Sequence, residues 1–140
     1  MIVGSQSTSG IAYLGDKNRR HLDEQSATRL IVSEIEKDQR RLGSVLAFGT
    51  LPRHEALDTE EWGREQSTLA RSLNDKEWSS TARFYADLDS VDELLAANRC
   101  LRNTERRIVF VSIRTGNNAI RALGKGTPYV APPVIASCGT

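Results

Sequence analysis

Three arginines recur at seven-residue spacing late in the chain: Arg107, Arg114 and Arg121. On a helix that spacing returns to nearly the same face every two turns. Guanidinium groups held in a row suit anions, because each offers a planar fork of donors and keeps its charge at any physiological pH. Arg99, Arg102, Arg106 and Lys125 extend the run. A smaller basic group, Lys17, Arg19, Arg20 and His21, follows a weakly apolar stretch near the start. Each cation beside an anionic lipid surface contributes on the order of 1 kcal/mol, so this second group alone would hold a membrane only weakly. The expected anion or lipid contacts are therefore Lys17, Arg19, Arg20, Arg107, Arg114 and Arg121. The same charges also have a structural reading: a basic last helix packed beside acidic middle helices, and a solvated helix start.

Other residue types form no catalytic pattern. Gly124-Lys125-Gly126-Thr127 resembles a fragment of a phosphate loop, but Ala119 stands where the first glycine is required and Gly126 separates the lysine from the threonine. The two histidines, His21 and His54, have no neighbour that marks a base or a metal ligand. The two cysteines, Cys100 and Cys138, lack metal-binding or redox spacing; a disulfide between them is the alternative, and we read them as free thiols in a reducing, cytoplasmic setting. No cofactor and no metal site is expected. The many carboxylates between residues 55 and 93 fall in helix first turns, where the helix dipole gives them a structural role. An enzyme whose carboxylates converge only in three dimensions stays open as an alternative.

The charge is uneven. Residues 51–98 hold eleven acidic and five basic side chains, residues 99–140 seven basic and one acidic, and the whole chain balances to +1. The acidic middle and the absence of a docking motif argue against nucleic acid as the partner, although the 99–125 arginines keep a nucleic-acid or acidic-ligand binder as the alternative. Residues 1–15 carry neither a spanning helix nor the basic and apolar regions of a signal peptide.

The elements that must position these residues are helical. Ala27, Leu30, Ile31, Ile35, Leu42, Val45 and Leu46 recur at three- and four-residue steps, which predicts a helix over about 21–48. Asp38 lies on that apolar face, either as a polar edge position or as a buried partner for an arginine on another helix. Gly49 and Pro52 mark the stop. Asp58 and Glu61 read as a capping box, with Leu57 and Trp62 as a hydrophobic staple. The pattern returns at Asn74 and Glu77 with Leu73 and Trp78. Helices over 59–72 and about 75–98 follow, and the tryptophans are assigned to core packing. Ser90 to Glu93 marks either a restart or nothing more than continuous helix. Residues 107–113 have strand-like composition, yet Val109, Ile113, Ile120 and Leu123 share one helical face, and we read helix to Gly124. The proline-containing end, 127–140, should be extended and loosely held.

Three stretches carry a resemblance. They are Tyr13-Leu14-Gly15-Asp16-Lys17-Asn18-Arg19-Arg20; the helix from Ala27 to Leu42 with Arg29-Leu30-Ile31 and Ser33-Glu34-Ile35; and Glu61-Trp62, Leu69-Ala70 and Asp75-Lys76-Glu77-Trp78. Over residues 13–96 the layout resembles an uncharacterised bacterial helical domain that often follows a single membrane-spanning segment. The resemblance implies a helical fold beside a membrane and brings no activity with it.

The expectation is an all-α chain: an irregular antiparallel bundle of about four helices with flexible N- and C-terminal tails. Its parts are a flexible arm with a basic flank (1–20), a helical domain (21–124) and an extended tail (125–140). Absent chemistry, the expected role is a non-enzymatic interaction domain peripheral to a membrane. Its partners would be a protein, an anionic membrane surface, or a second copy if the apolar faces exceed what one chain covers.

Overall fold

The computed structural model describes residues 2–51, 55–97 and 100–135, with side chains described at Arg19 and from His21 onward. Four helices follow in order: α1 (Ile2–Phe48), α2 (Glu60–Ser72), α3 (Asp75–Ala97) and α4 (Asn103–Leu123). No strand occurs among the described residues. The 107–113 run is therefore helix, and its β-branched residues serve two faces: Val109 and Ile113 are buried, Ile108 and Val111 exposed.

The helices pack as a ring, α1 beside α2 and α4, and α3 beside α4 and, more lightly, α2. Neighbours run antiparallel. Leu101, just before α4, donates its amide to Gly49 O at the end of α1. Further along, Gln39 meets Ile113 and Asn117. On the other side, Glu34 meets Glu61 and Trp62, while Arg41 reaches Ala56. The apolar stripe predicted for α1 is the inner face except at Leu30, which lies at its edge and is 40% exposed. Ala27, Ile31, Ile35, Leu42 and Val45 are buried with Phe84, Leu88 and Val91 of α3 and Val109, Ile113 and Ile120 of α4. Each large side chain so buried contributes roughly 1.5–3 kcal/mol before chain entropy is set against it.

The helix ends test the capping expectations one by one. At α3 the box forms as read: Glu77 N donates to Asn74 Oδ1 at 2.8 Å and Asn74 N to Glu77 Oε1 at 2.9 Å. At α2 it does not form. Thr59 occupies the cap position, and Asp58 Oδ1 accepts from Glu60 N at 2.9 Å. Glu61 turns outward to Arg64. α3 runs without a break through Ser90–Glu93. α4 stops at Gly124, whose φ of 68° is a left-handed value that glycine adopts without the steric cost of a Cβ.

The arm over 1–20 is helical backbone from Ile2, continuous with α1. The tail is extended, as expected, but held more firmly than its prolines suggest. Asn117 clamps Tyr129 twice, Nδ2 donating to Tyr129 O at 2.9 Å and Oδ1 accepting from Tyr129 N at 2.7 Å. The Tyr129 ring lies over Gly43, where a Cβ would collide with its hydroxyl. Farther on, Ile135 N donates to Ala47 O at 2.9 Å. α1 and α4 thus supply a seat for residues 129–135.

Candidate functional site

Among the described residues, two places hold side chains able to do chemistry. The first is internal. Glu34 and Asp38, one turn apart on α1, are both buried. Glu34 Oε1 accepts from the Tyr85 hydroxyl at 2.7 Å and from Trp62 N at 3.2 Å, and Oε2 accepts from Glu61 N at 2.7 Å. This carboxylate caps α2 from another helix. With Asp58 holding Glu60 N, the first three amides of α2 each have an acceptor. Asp38 Oδ1 accepts from Asp58 N at 2.7 Å, and Arg41 lies 3.9 Å away on the same helix. Asp38 is therefore neither an edge position nor paired to an arginine on another helix. Above the acids, Trp62 stacks on Tyr85 at 4.7 Å and tilts against Trp78 at 5.2 Å.

Burial dominates the electrostatics here. It raises Glu34 above the usual carboxylate range, with the hydrogen bonds from Tyr85, Glu61 and Trp62 pulling the other way. Asp38 is pushed up to about 7, first by burial and then by the nearby charges of Glu34 and Asp58, against the amide of Asp58. Burial and the bond to Glu34 likewise raise the Tyr85 hydroxyl. Acids in such an environment are the kind that transfer protons. Here, however, neither Glu34 nor Asp38 lines any described cavity. Glu34 directs its acceptor capacity at the start of α2 and at Tyr85, whereas Asp38 holds the Asp58 amide through Oδ1 and leaves Oδ2 buried without a hydrogen bond.

The second place is external. Arg107, Arg114 and Arg121 are exposed on the side of α4 opposite its buried face. Fourteen residues of helix separate the first from the last, about 21 Å. None of the three makes a hydrogen bond or ion pair among the described residues. The seam of opposite charge with the acidic middle helices is thus not where these arginines sit. Between Arg107 and Arg114 lie Phe110 and Val111, 45% and 41% exposed. Beside Phe110 a groove of about 580 Å³ runs between α4 and the docked tail, lined by Leu46, Arg107, Phe110, Pro132, Pro133 and Val134, among others. Sequence reasoning found the arginines from their spacing. It missed the groove, because one wall is a tail segment whose position depends on Asn117.

The remaining basic residues scatter. Arg106 is buried, whereas Arg19 and Arg102 are exposed. Lys125 faces α1 across a small pocket of about 180 Å³ with Arg29, Glu36 and Arg40. The side chains of Lys17 and Arg20, together with Arg99 and His54, lie outside the described residues. His21 is exposed and near Gln25, at 3.2 Å between side-chain nitrogens. Among the described residues no group of His, Cys, Asp and Glu is placed to hold a metal ion, and no helix is long and apolar enough to cross a membrane.

The thiol expectation is overturned. Cys100 is disulfide-bonded. The chain's other cysteine, Cys138, lies outside the described residues. The cysteine spacing in the sequence gave no sign of a bridge.

Comparison with known proteins leaves these surfaces to be read on their own terms: the chain matches no protein-family model, no curated protein and no solved structure.

Proposed function

We propose that the chain is a non-enzymatic helical interaction domain that engages an anionic partner through the outward face of α4. One observation carries this reading: Arg107, Arg114 and Arg121 stand exposed in a row, without a hydrogen bond or ion pair among the described residues, around the exposed Phe110 and Val111. A bundle needs neither the row nor the aromatic ring on its solvent side. Arginine and phenylalanine together are typical of contact surfaces. The buried acids support the non-enzymatic part, since each already holds backbone or hydroxyl donors inside the bundle.

The disulfide at Cys100 supports a reading of the setting. A disulfide persists in oxidising compartments and is rare where glutathione keeps thiols reduced. We therefore place the domain on the oxidising side of a membrane in place of the cytoplasm. Retention on a heparin column tests the contact surface. The wild-type chain should be retained at low salt and released as salt screens the arginines. The triple variant Arg107→Glu, Arg114→Glu, Arg121→Glu should pass unretained with its helical circular dichroism unchanged. Wild-type protein that is not retained, or a triple variant retained equally well, would refute the reading.

A further inference from the structure

The charge on α4 selects an anion, and the apolar surface around it selects which kind. Phe110 and Val134 line the groove between α4 and the tail, and Val134 is 53% exposed. Ile135 is 65% exposed although its own amide is tied to Ala47 O. These side chains are therefore presented by anchored backbone. Held in water they bring no hydrophobic gain, and a partner that covers them would.

Three partners can be compared by what each side chain would gain. A nucleic-acid backbone would use the arginines, but valine, isoleucine and proline gain little from phosphate. A second copy meeting this face with the same face would bring two arginine rows together, and like charges in close contact are destabilising. An anionic bilayer matches both parts, with headgroups for the guanidinium groups and the upper acyl region for the apolar side chains.

We propose that this face docks on an anionic lipid bilayer, with Arg107, Arg114 and Arg121 at the headgroups and Phe110, Val134 and Ile135 dipping beneath them. The inference rests on the α4 face being the contact surface. It adds the identity of the partner and a part for the tail, which supplies two of the three inserting residues. Docking of this kind needs no spanning helix.

Co-sedimentation with vesicles of equal parts phosphatidylglycerol and phosphatidylcholine tests it, using the full chain. Binding is expected to these vesicles and not to phosphatidylcholine alone. Arg107→Gln, Arg114→Gln and Arg121→Gln together should lower partitioning on the order of a hundredfold, about fivefold for each charge removed. A second variant, Phe110→Ser with Val134→Ser, should keep its heparin retention and lose about tenfold in vesicle partitioning. Heparin retention without vesicle binding would overturn the lipid inference and leave the anionic contact surface standing. Equal vesicle binding by the Phe110 and Val134 variant would overturn the inserted geometry. Loss of both kinds of binding in the wild-type chain would remove the inference and the reading beneath it.

Discussion

At the scale of residues, the fold depends on acids placed where water cannot reach them. Asp38 shows the consequence for pH. An ordinary aspartate titrates at 3.8, whereas Asp38 in the bundle titrates at about 7. Between those values the folded chain keeps a proton that the unfolded chain has released. The stability linked to this group is whole below pH about 4 and is lost as pH rises through about 7. Glu34 is shifted in the same direction. The denaturation midpoint should therefore fall between pH about 5 and about 8. Asp38→Asn, which keeps an oxygen for the Asp58 amide, should flatten that slope and be the more stable protein at pH about 8, by on the order of a few kcal/mol. A wild-type profile that stays level over this range would contradict the assignment. Glu34→Ala is the harsher change, since it strands the Tyr85 hydroxyl and the amides of Glu61 and Trp62. Urea titration should show a loss of about 3 kcal/mol or more. The sequence placed Asp38 on the apolar stripe of its helix. It gave no sign of the partner, because that partner is a backbone amide from a loop twenty residues away.

At the scale of elements, what could be read depended on how local the signal was. The box at Asn74 and Glu77 formed because both members lie within one turn and nothing else competes for them. The similar pair at Asp58 and Glu61 failed because Glu34, from another helix, reaches the amides first. The charged and apolar faces of α4 were legible from spacing alone. The seat of the tail was not, since it depends on Asn117, which looks like any surface asparagine in the sequence. Its Oδ1 accepts from Gln39 Nε2 at 2.9 Å as well as from Tyr129 N, so one side chain ties α1, α4 and the tail. Asn117→Ala should cost about 1–3 kcal/mol. The same change should speed hydrogen exchange at the Tyr129 and Ile135 amides while the amides of α3 stay protected. Unchanged exchange at Tyr129 would show that something else seats the tail.

At the scale of the whole molecule, a nearly neutral chain conceals two opposed regions, with an acidic middle and a basic end. Fold class followed from periodicity, because every helix has one face to bury. The disulfide at Cys100 did not, since a bridge leaves no periodic trace in the sequence. Reduction should lower the stability of the bundle by roughly 2–4 kcal/mol, read as a lower denaturation midpoint in reductant. A midpoint that ignores reductant would mean that the bridge constrains little of the unfolded chain. The central claim is that the outward face of α4 is the surface that meets the partner. Asn118 lies on that face, while Gln66 is exposed on α2, across the ring of helices. The most direct measurement attaches an environment-sensitive fluorophore at one or the other position, through Asn118→Cys or Gln66→Cys, and titrates each protein with the phosphatidylglycerol-containing vesicles. The account predicts a blue shift at position 118 and none at position 66. A shift at position 66 alone, or bound protein with no shift at position 118, would contradict it.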